Sequence, residues 1–393
     1  MSETNLTKFL LLPKLELIDF KYKSNLTLYQ CKTTSKSLWC HHCGLECFTV
    51  HDRRVVKIKD APHAIKQKVL IITKKRFRCS GCKKVITENV DGISKYARIT
   101  ERLQRHLLYI CHNFANMKSA RKHLNLGNKT IYQRHYKQLD LEWRKRKNDP
   151  WPKNIGIDEH SFCKNKKYGR REFVSVVVDH NSKRVRELAP CRDSLTLKQV
   201  LSYIPGRENV QNITMDLSPT YRSFAQSFFP NAKIVADKFH VIRLPNRILD
   251  IYRNKIFKNK KLKLRKILLM DSTKMEYWKK KEFWRELENY PQLNEIYWIK
   301  EAVHRLYRCR SYKKAKRSLI NLTDHLALTT IDELKSLRKT LMKWSEEILN
   351  YFKTRLTNAR TEGFNTVCKQ VQRRAYGYSS FYNYRLKVLY ACS

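Results

Sequence analysis

Negative charge is what this sequence has least of. Its 393 residues hold 35 Asp or Glu against 82 Lys or Arg, a formal charge of +47. A chain so poor in acids is expected to seek a polyanion, with DNA or RNA first and with an affinity set by counterion release. Glycine and proline are also scarce, at 9 and 10 residues. Together with 11% aromatic and 42% hydrophobic content, this excludes a disordered basic tail and allows two or three domains with real cores. No apolar run approaches the ~18 residues needed to cross a bilayer, and no cleavable signal or basic amphipathic anchor stands out. The expectation is an intracellular, cytoplasmic protein with no membrane partner. Internal repeats and low-complexity segments are missing as well. The lead-in over residues 1 to about 30 carries only one strong pattern, Phe9-Leu10-Leu11-Leu12-Pro13.

Cysteine, by contrast, is present twelve times. In this setting it reads as metal ligands or buried thiols, not as a disulfide framework. Cys40-His41-His42-Cys43-Gly44 and Cys79-Ser80-Gly81-Cys82 are two Cys-x-x-Cys knuckles. Between them lie segments that read as strands, Arg54–Lys59 and Lys68–Ile72. A glycine in or beside each pair lets the backbone turn both thiolates toward one ion. Cys40, Cys43, Cys79 and Cys82 therefore suit a closed structural Zn²⁺ site. Cys31, Cys47, His41 or His42 could replace one of them, and four unrelated buried thiols are the plain alternative. A redox pair fits less well without a βαβ context.

Residues 93–150 read as a helical DNA-binding domain after the 1–92 ribbon domain. Leu103, Leu107, Leu108 and Cys111 recur at helical spacing, Asn116 can cap a second short helix, and Leu126-Gly127 makes a turn. A third helix from Asn128 carries Ile131, Tyr132, Tyr136 and Leu139. This resembles a helix-turn-helix, in which Lys129, Thr130, Gln133 and Arg134 could reach base edges or phosphates. An ordinary helical linker would leave the same pattern. Trp151-Pro152 marks the next boundary.

From residue 154 the pattern is strand, strand, strand, helix, strand, helix, strand, an α/β arrangement. Asp158 ends the run Asn154-Ile155-Gly156-Ile157-Asp158, and Asp216 ends Asn212-Ile213-Thr214-Met215-Asp216. Strand-end carboxylates open onto the crevice where α/β sheets bind ligands, although many such aspartates are only caps or turn residues. Ser218 and Pro219 already supply a cap and first helical residue, which leaves Asp216 available as a ligand. Asp237 follows a further strand and lies one turn from His240, as auxiliary ligands or as a buried orienting pair. Glu159 and His160 read as supporting or solvent-facing residues. Residues 250 to about 350 read as a helical, very basic insertion that includes Lys258–Lys263. A final helix, Thr361 to Val371, puts Glu362, Asn365, Thr366, Lys369 and Arg373 on one face and Phe364, Val367, Cys368 and Val371 on the other. Carboxylates beside cations in so basic a chain suggest metal-assisted chemistry on a nucleic-acid phosphate.

These motifs together resemble the ISL-three insertion-sequence transposases over nearly the full length. The matching stretches are Gly156-Ile157-Asp158-Glu159, Met215-Asp216-Leu217-Ser218-Pro219, Val235-Ala236-Asp237-Lys238-Phe239-His240, and Glu362-Gly363-Phe364-Asn365 running into Arg373-Arg374-Ala375-Tyr376-Gly377-Tyr378. The resemblance implies a ribonuclease H-like core over 151–393 with a helical insertion, preceded by the zinc ribbon and helix-turn-helix. It implies a DDE triad of Asp158, Asp216 and Glu362, with Asp237 and His240 as an Asp-x-x-His element. Two Mg²⁺ or Mn²⁺ ions about 4 Å apart would then promote in-line cleavage and strand transfer. Lys369 and Arg373 would offset phosphate charge. Terminal inverted repeats and target DNA are the implied partners, in a homo-oligomeric complex at the bacterial nucleoid. A DNA-binding regulator or domesticated transposase without catalysis, and a structure-selective nuclease without strand transfer, are the rival readings.

Overall fold

The computed structural model describes residues 12–63, 66–113, 116–164, 171–257 and 262–393. Most of the Phe9–Pro13 pattern and part of the Lys258–Lys263 run lie outside the described residues. The chain divides into two compact units. The first reaches Asp140 and takes in Arg374–Tyr376; the second holds Leu141–Arg373 and Gly377–Ser393.

In the first unit, strands β1 (Leu15–Lys23), β2 (Leu26–Thr33), β3 (Leu38–Trp39), β4 (Glu46–Cys47), β5 (Val50–His63), β6 (Lys66–Arg78) and β7 (Val85–Thr87) precede three helices. The larger sheet runs β1-β2-β6-β5, with β7 also on β6, while β3 and β4 form a separate two-stranded ribbon. Alternation along β6 sends Lys68, Leu70 and Ile72 inward, as a one-face-buried strand requires. The inward Lys68 is not an error in the pattern. It meets the buried Asp60 of β5 at 3.2 Å. Asp60 also accepts from Thr100 Oγ1 at 2.7 Å and Arg102 Nε at 2.6 Å. Burial pushes this carboxyl up, but these donors outweigh it and hold it below the usual range.

Helices α1 (Glu101–Asn113), α2 (Met117–Leu124) and α3 (Asn128–Arg146) follow. Asn116 caps α2 through Ser119 N at 2.9 Å, as its sequence position suggests. The tight connection to α3 depends on Asn125, which takes a left-handed φ of 49°, and not on Gly127. Leu103, Leu107, Ala120, Leu124 and Ile131 close the helical core. On α3 the buried stripe is Ile131, His135 and Leu139, and Tyr132 is exposed. Residues at i, i+4 and i+8 drift little around a helix, and His135 occupies the place between the two aliphatics.

The second unit is built on a mixed sheet of β8 (Asn154–Lys164), β9 (Arg171–Asp179), β10 (Arg184–Ala189), β11 (Asn212–Met215) and β12 (Lys233–Ala236), ordered β10-β9-β8-β11-β12. β9 runs antiparallel to both its neighbours, whereas β11 is parallel to β8 and to β12. Ile155, Ile157, Val177, Ile213 and Met215 face α4 (Ser194–Leu201) and α5 (Pro219–Phe228). Val174, Val176 and Val178 face the opposite layer, where the final helices pack. Continuous apolar strands are what burial on both faces demands. Between β12 and those helices the chain is helical, beginning with α6 (Lys238–Phe257), α7 (Leu262–Leu269) and α8 (Tyr277–Glu288). It continues through α9 (Pro291–Arg308), α10 (Tyr312–His325), α11 (Asp332–Lys343) and α12 (Ser345–Thr354). Their shared core includes Ile296, Val303, Leu319, Leu337 and Ile348, and it reaches β12 through Val235 and Ala236. The last two helices are α13 (Ala359–Arg374) and α14 (Phe381–Ala391).

Candidate active site

Parallel pairing of β8 with β11 runs only from Asn154↔Asn212 to Gly156↔Thr214. Beyond it the two strands part, and the acids lie at the opening. Asp216 comes directly after the last residue of β11, as its sequence position suggests. Asp158 does not end its strand: β8 continues to Lys164 and Asp158 pairs with Val176 of β9. The hydrogen-bonding partner on one side, not the strand, stops there.

Asp237 follows β12 and its backbone amide donates to Met215 O at 2.8 Å, which fixes it beside the end of β11. One helical turn on, His240 Nδ1 lies 2.5 Å from Asp216 Oδ1 and 3.7 Å from Asp237 Oδ2. Donor atoms of Asp216, Asp237 and His240 all fall within 4.8 Å of one another, close enough to share a metal ion. Asp216 Oδ1, Asp237 Oδ2 and His240 Nδ1 are enclosed, and none has an aligned hydrogen bond. Enclosed carboxylate and imidazole atoms whose contacts are with one another are costly unless protonated or completed by an ion or ordered water, so this donor set fits a bound cation. The contact with Asp216 raises the His240 pKa above the ordinary imidazole value, against the effect of burial. Burial raises that of Asp237.

Asp158 stands next to this cluster. Burial, and then the carboxylate of Asp216, push it up to about 7. Its Oδ1 accepts from Glu159 N at 2.7 Å, and its Oδ2 accepts from Asn365 Nδ2 at 2.6 Å. A carboxylate this far displaced gains much from a nearby cation, which would return it to the ionised form.

Glu362 is exposed in the first turn of α13 and acts electrostatically on Asp237. Neither it nor Asp158 belongs to the tight three-residue group. The helix starts where it does because its N-terminal end is clamped to the sheet. Asn358 donates from Nδ2 to Ile157 O at 3.3 Å and accepts from Thr214 Oγ1 at 3.0 Å. Gly156 makes this approach possible: a Cβ there would stand 2.2 Å from Thr361 Oγ1 and 2.8 Å from Asn358 Oδ1. Asn365, placed by periodicity on the polar face with Glu362, lies instead in the buried stripe Thr361, Asn365, Cys368. The spacing i, i+4, i+7 could have shown this; the polarity of Asn concealed it. Lys369 and Arg373 are exposed on the same helix.

The flanking residues are fixed as well. Glu159 accepts from Tyr221 OH at 3.1 Å and pairs with Arg192 at 2.8 Å. His160 is buried against Tyr384 OH at 2.6 Å, and burial lowers its pKa to about 4. Neither faces solvent freely.

A second donor cluster lies in the first unit. The sulfurs of Cys40, Cys43, Cys79 and Cys82 lie within 4.8 Å of one another, with Cys40–Cys82 at 3.6 Å and Cys43–Cys79 at 3.4 Å. Tetrahedral zinc with Zn–S bonds of about 2.3 Å separates its sulfurs by roughly 3.8 Å, so the group can hold zinc. Backbone amides, that of Cys82 first, lower the Cys79 thiol to about 6 and ready it as a thiolate. The first knuckle turns at Gly44, with φ +76°, but the second turns at Lys83, with φ 57°. Gly81 is not at the turn; a Cβ there would sit 2.4 Å from Cδ1 of Leu45, an exposed side chain that can move aside. Of the possible substitutes, Cys31 belongs to another core, His41 and His42 are exposed, and Cys47 bonds Leu45 O.

Among the residues expected to read DNA, Lys129 and Gln133 are exposed and Thr130 is half-buried. Arg134 is half-buried and donates to Gln104 Oε1 at 2.6 Å, so its guanidinium is already engaged within the unit.

A mixed sheet presenting acids, clustered donors and strong positive charge matches a known class. A family model described as a transposase, of the ISL-three DDE type, matches residues 155–388, and the chain belongs to that family. Over 373 residues it is 24% identical to the transposase for insertion sequence element IS1001 of Bordetella parapertussis, covering 91% of this chain and 89% of that protein. A shorter stretch of 105 residues is 30% identical to the transposase for insertion sequence element IS1557 in two strains of Mycobacterium tuberculosis, covering 26% of this chain and 22% of those proteins. The function of the chain is that of a transposase. No helix among the described residues is long and apolar enough to cross a membrane.

Proposed function

We propose that this transposase binds the terminal inverted repeats of its insertion sequence and catalyses metal-dependent DNA cleavage and strand transfer at Asp158, Asp216 and Glu362. The observation that carries the reading is the juxtaposition of Asp216, Asp237 and His240 within 4.8 Å, with Asp158 driven to about 7 beside Asp216. Perturbed, converging titratable groups at a strand opening mark functional sites more often than structural ones. The mixed sheet with its acids at neighbouring strand openings supports a ribonuclease H-like core. Asp237 and His240 complete the donor set.

Asp216, Asp237 and His240 would hold one divalent ion and Asp158, with Glu362, would complete a second site. Bound Mg²⁺ or Mn²⁺ would supply an activated water or 3′-hydroxyl and stabilise the leaving oxygen of an in-line displacement. The chain's own residues prepare for this. Asn365 and the Glu159 amide orient Asp158, His240 holds Asp216, and Lys369 and Arg373 receive phosphate charge. Residues 1–92 and 93–150 are read as a zinc ribbon and a helix-turn-helix that recognise the repeats, with Lys129, Thr130 and Gln133 toward DNA. Pairing two ends calls for a homo-oligomer, and the setting is the nucleoid.

Incubating the purified chain with a terminal-repeat duplex, a target plasmid and Mg²⁺ or Mn²⁺ tests the reading. Cleaved ends and joined products are expected from the parent, and neither from Asp158→Asn, which should still bind the duplex. Binding without any cleavage by the parent would favour a regulator; cleavage without joining would favour a nuclease.

A further inference from the structure

Helices α9 and α10 of the insertion enclose a groove of about 710 Å³ that the catalytic reading does not use. Its volume falls in the range of ligand pockets. Trp298, Ala302 and Arg305 project into it from one face of α9, at i, i+4 and i+7. Lys314, Arg317 and Ser318 line it from α10. The small side chains Ala302 and Ser318 leave the space open, and the buried Ile299 and Leu322 give it an apolar floor.

Among the described residues, no carboxylate lines this groove. Two other cations of α9 are neutralised locally. Arg308 pairs with Asp271 at 2.9 Å, and Lys300 pairs with Glu301 at 2.6 Å. Among the described residues Arg305, Lys314 and Arg317 are exposed and make no ion pair of this kind. The walls therefore offer uncompensated positive charge. Trp298 offers a flat apolar surface: it is 39% exposed and is backed by Trp284, ring centroids 5.1 Å apart. A duplex backbone would use only the cations. Cations together with a braced, open indole match an unpaired nucleotide, with the base stacked on the ring and its phosphates on the arginines and lysine.

We propose that this groove binds an unpaired nucleotide segment of the DNA substrate, with Trp298 as the stacking platform and Arg305, Lys314 and Arg317 as phosphate contacts. The inference rests on the reading of the chain as a DNA-acting transposase. α9 packs along α6, whose first turn carries His240.

The test measures binding of the full chain, by fluorescence anisotropy at one fixed salt concentration, to a blunt duplex and to the same duplex with a single-stranded extension. The parent should prefer the extended duplex. Trp298→Ala should lower affinity for the extended form about 5- to 150-fold, the range for losing one stacked base, and change blunt binding less than about twofold. Arg317→Ser, at an exposed position that perturbs folding little, should weaken the extended form selectively too. Equal losses on both duplexes, or no preference in the parent, would overturn the proposal. So would displacement of the extension by inorganic phosphate to the same degree in parent and Trp298→Ala. A parent that binds neither duplex would instead overturn the DNA-acting reading itself.

Discussion

Asn365 donates through Nδ2 to Asp158 Oδ2 at 2.6 Å, joining residues 207 positions apart in the chain. The same Nδ2 lies 3.3 Å from Glu159 O. The amide therefore fixes the orientation of a buried carboxylate. Asn365→Ala should reduce cleavage about 10- to 100-fold, the range for loss of a partner that orients a metal ligand, while duplex affinity stays within about twofold. Asn365→Asp should lose at least as much, because it sets a second negative charge against Asp158. Single-turnover cleavage beside anisotropy checks both.

Removing the charge from Asp158 should stabilise the metal-free protein at neutral pH. Its folded carboxyl titrates near 7, above the unfolded value. The folded state thus holds the proton more tightly than the unfolded state between about pH 4 and pH 7, and stability falls as pH rises through that window. Asp158→Asn should abolish this contribution and gain on the order of 2 kcal/mol at pH 8 with chelator present. Urea unfolding at pH 5 and pH 8 would show it; an identical pH dependence in both proteins would contradict it.

The four thiolates should carry about one zinc per chain. Cys79→Ser should lose the metal and unfold the ribbon, whereas Cys47→Ser, outside the donor group, should keep it. Metal analysis by mass spectrometry after dialysis distinguishes the two, and a zinc content well below one in the parent would remove the site.

Gly156→Ala should cost roughly 1–3 kcal/mol, the usual range for forcing extra volume into a packed contact. The added Cβ would drive α13 from β8 at Thr361 and Asn358. Cleavage should fall more than stability, because that helix brings Asn365 to Asp158.

Losing Arg102 would leave the buried Asp60 with Lys68, Thr100 and the backbone amide of Ala61. Arg102→Met should cost about 3 kcal/mol, the lower end for removing one partner of a buried pair. Denaturant midpoints read the effect.

The order of strands and helices from residue 154 was legible because β-branched runs and helical spacing alternate cleanly there, and Ser218 with Pro219 marks the start of α5 as expected. The cysteine knuckles were legible from spacing alone. Asp158 was harder: a strand's end can be read from apolar runs, but β8 continues through polar residues because β9 still pairs with it. Asn365 and His135 were concealed because polar side chains can fill core positions when a partner or a packed environment accepts them. Arg134 looked ready for DNA since no local pattern announces a partner 30 residues away, Gln104. The groove between α9 and α10 depends on which faces of two helices meet, and one-dimensional periodicity does not encode that.

The helix that bears Glu362 docks on Gly156 of the first core strand, yet about 200 residues and the whole helical insertion separate them in sequence. Closing so long a loop is entropically slow, and the contact cannot form until the C-terminal segment has left the ribosome. A nascent or truncated chain would carry its two strand aspartates and its DNA-binding charge without Asn365 or Glu362. On the proposed reading, such a chain would hold DNA before it could cut it, and cutting would wait for the segment beyond residue 358.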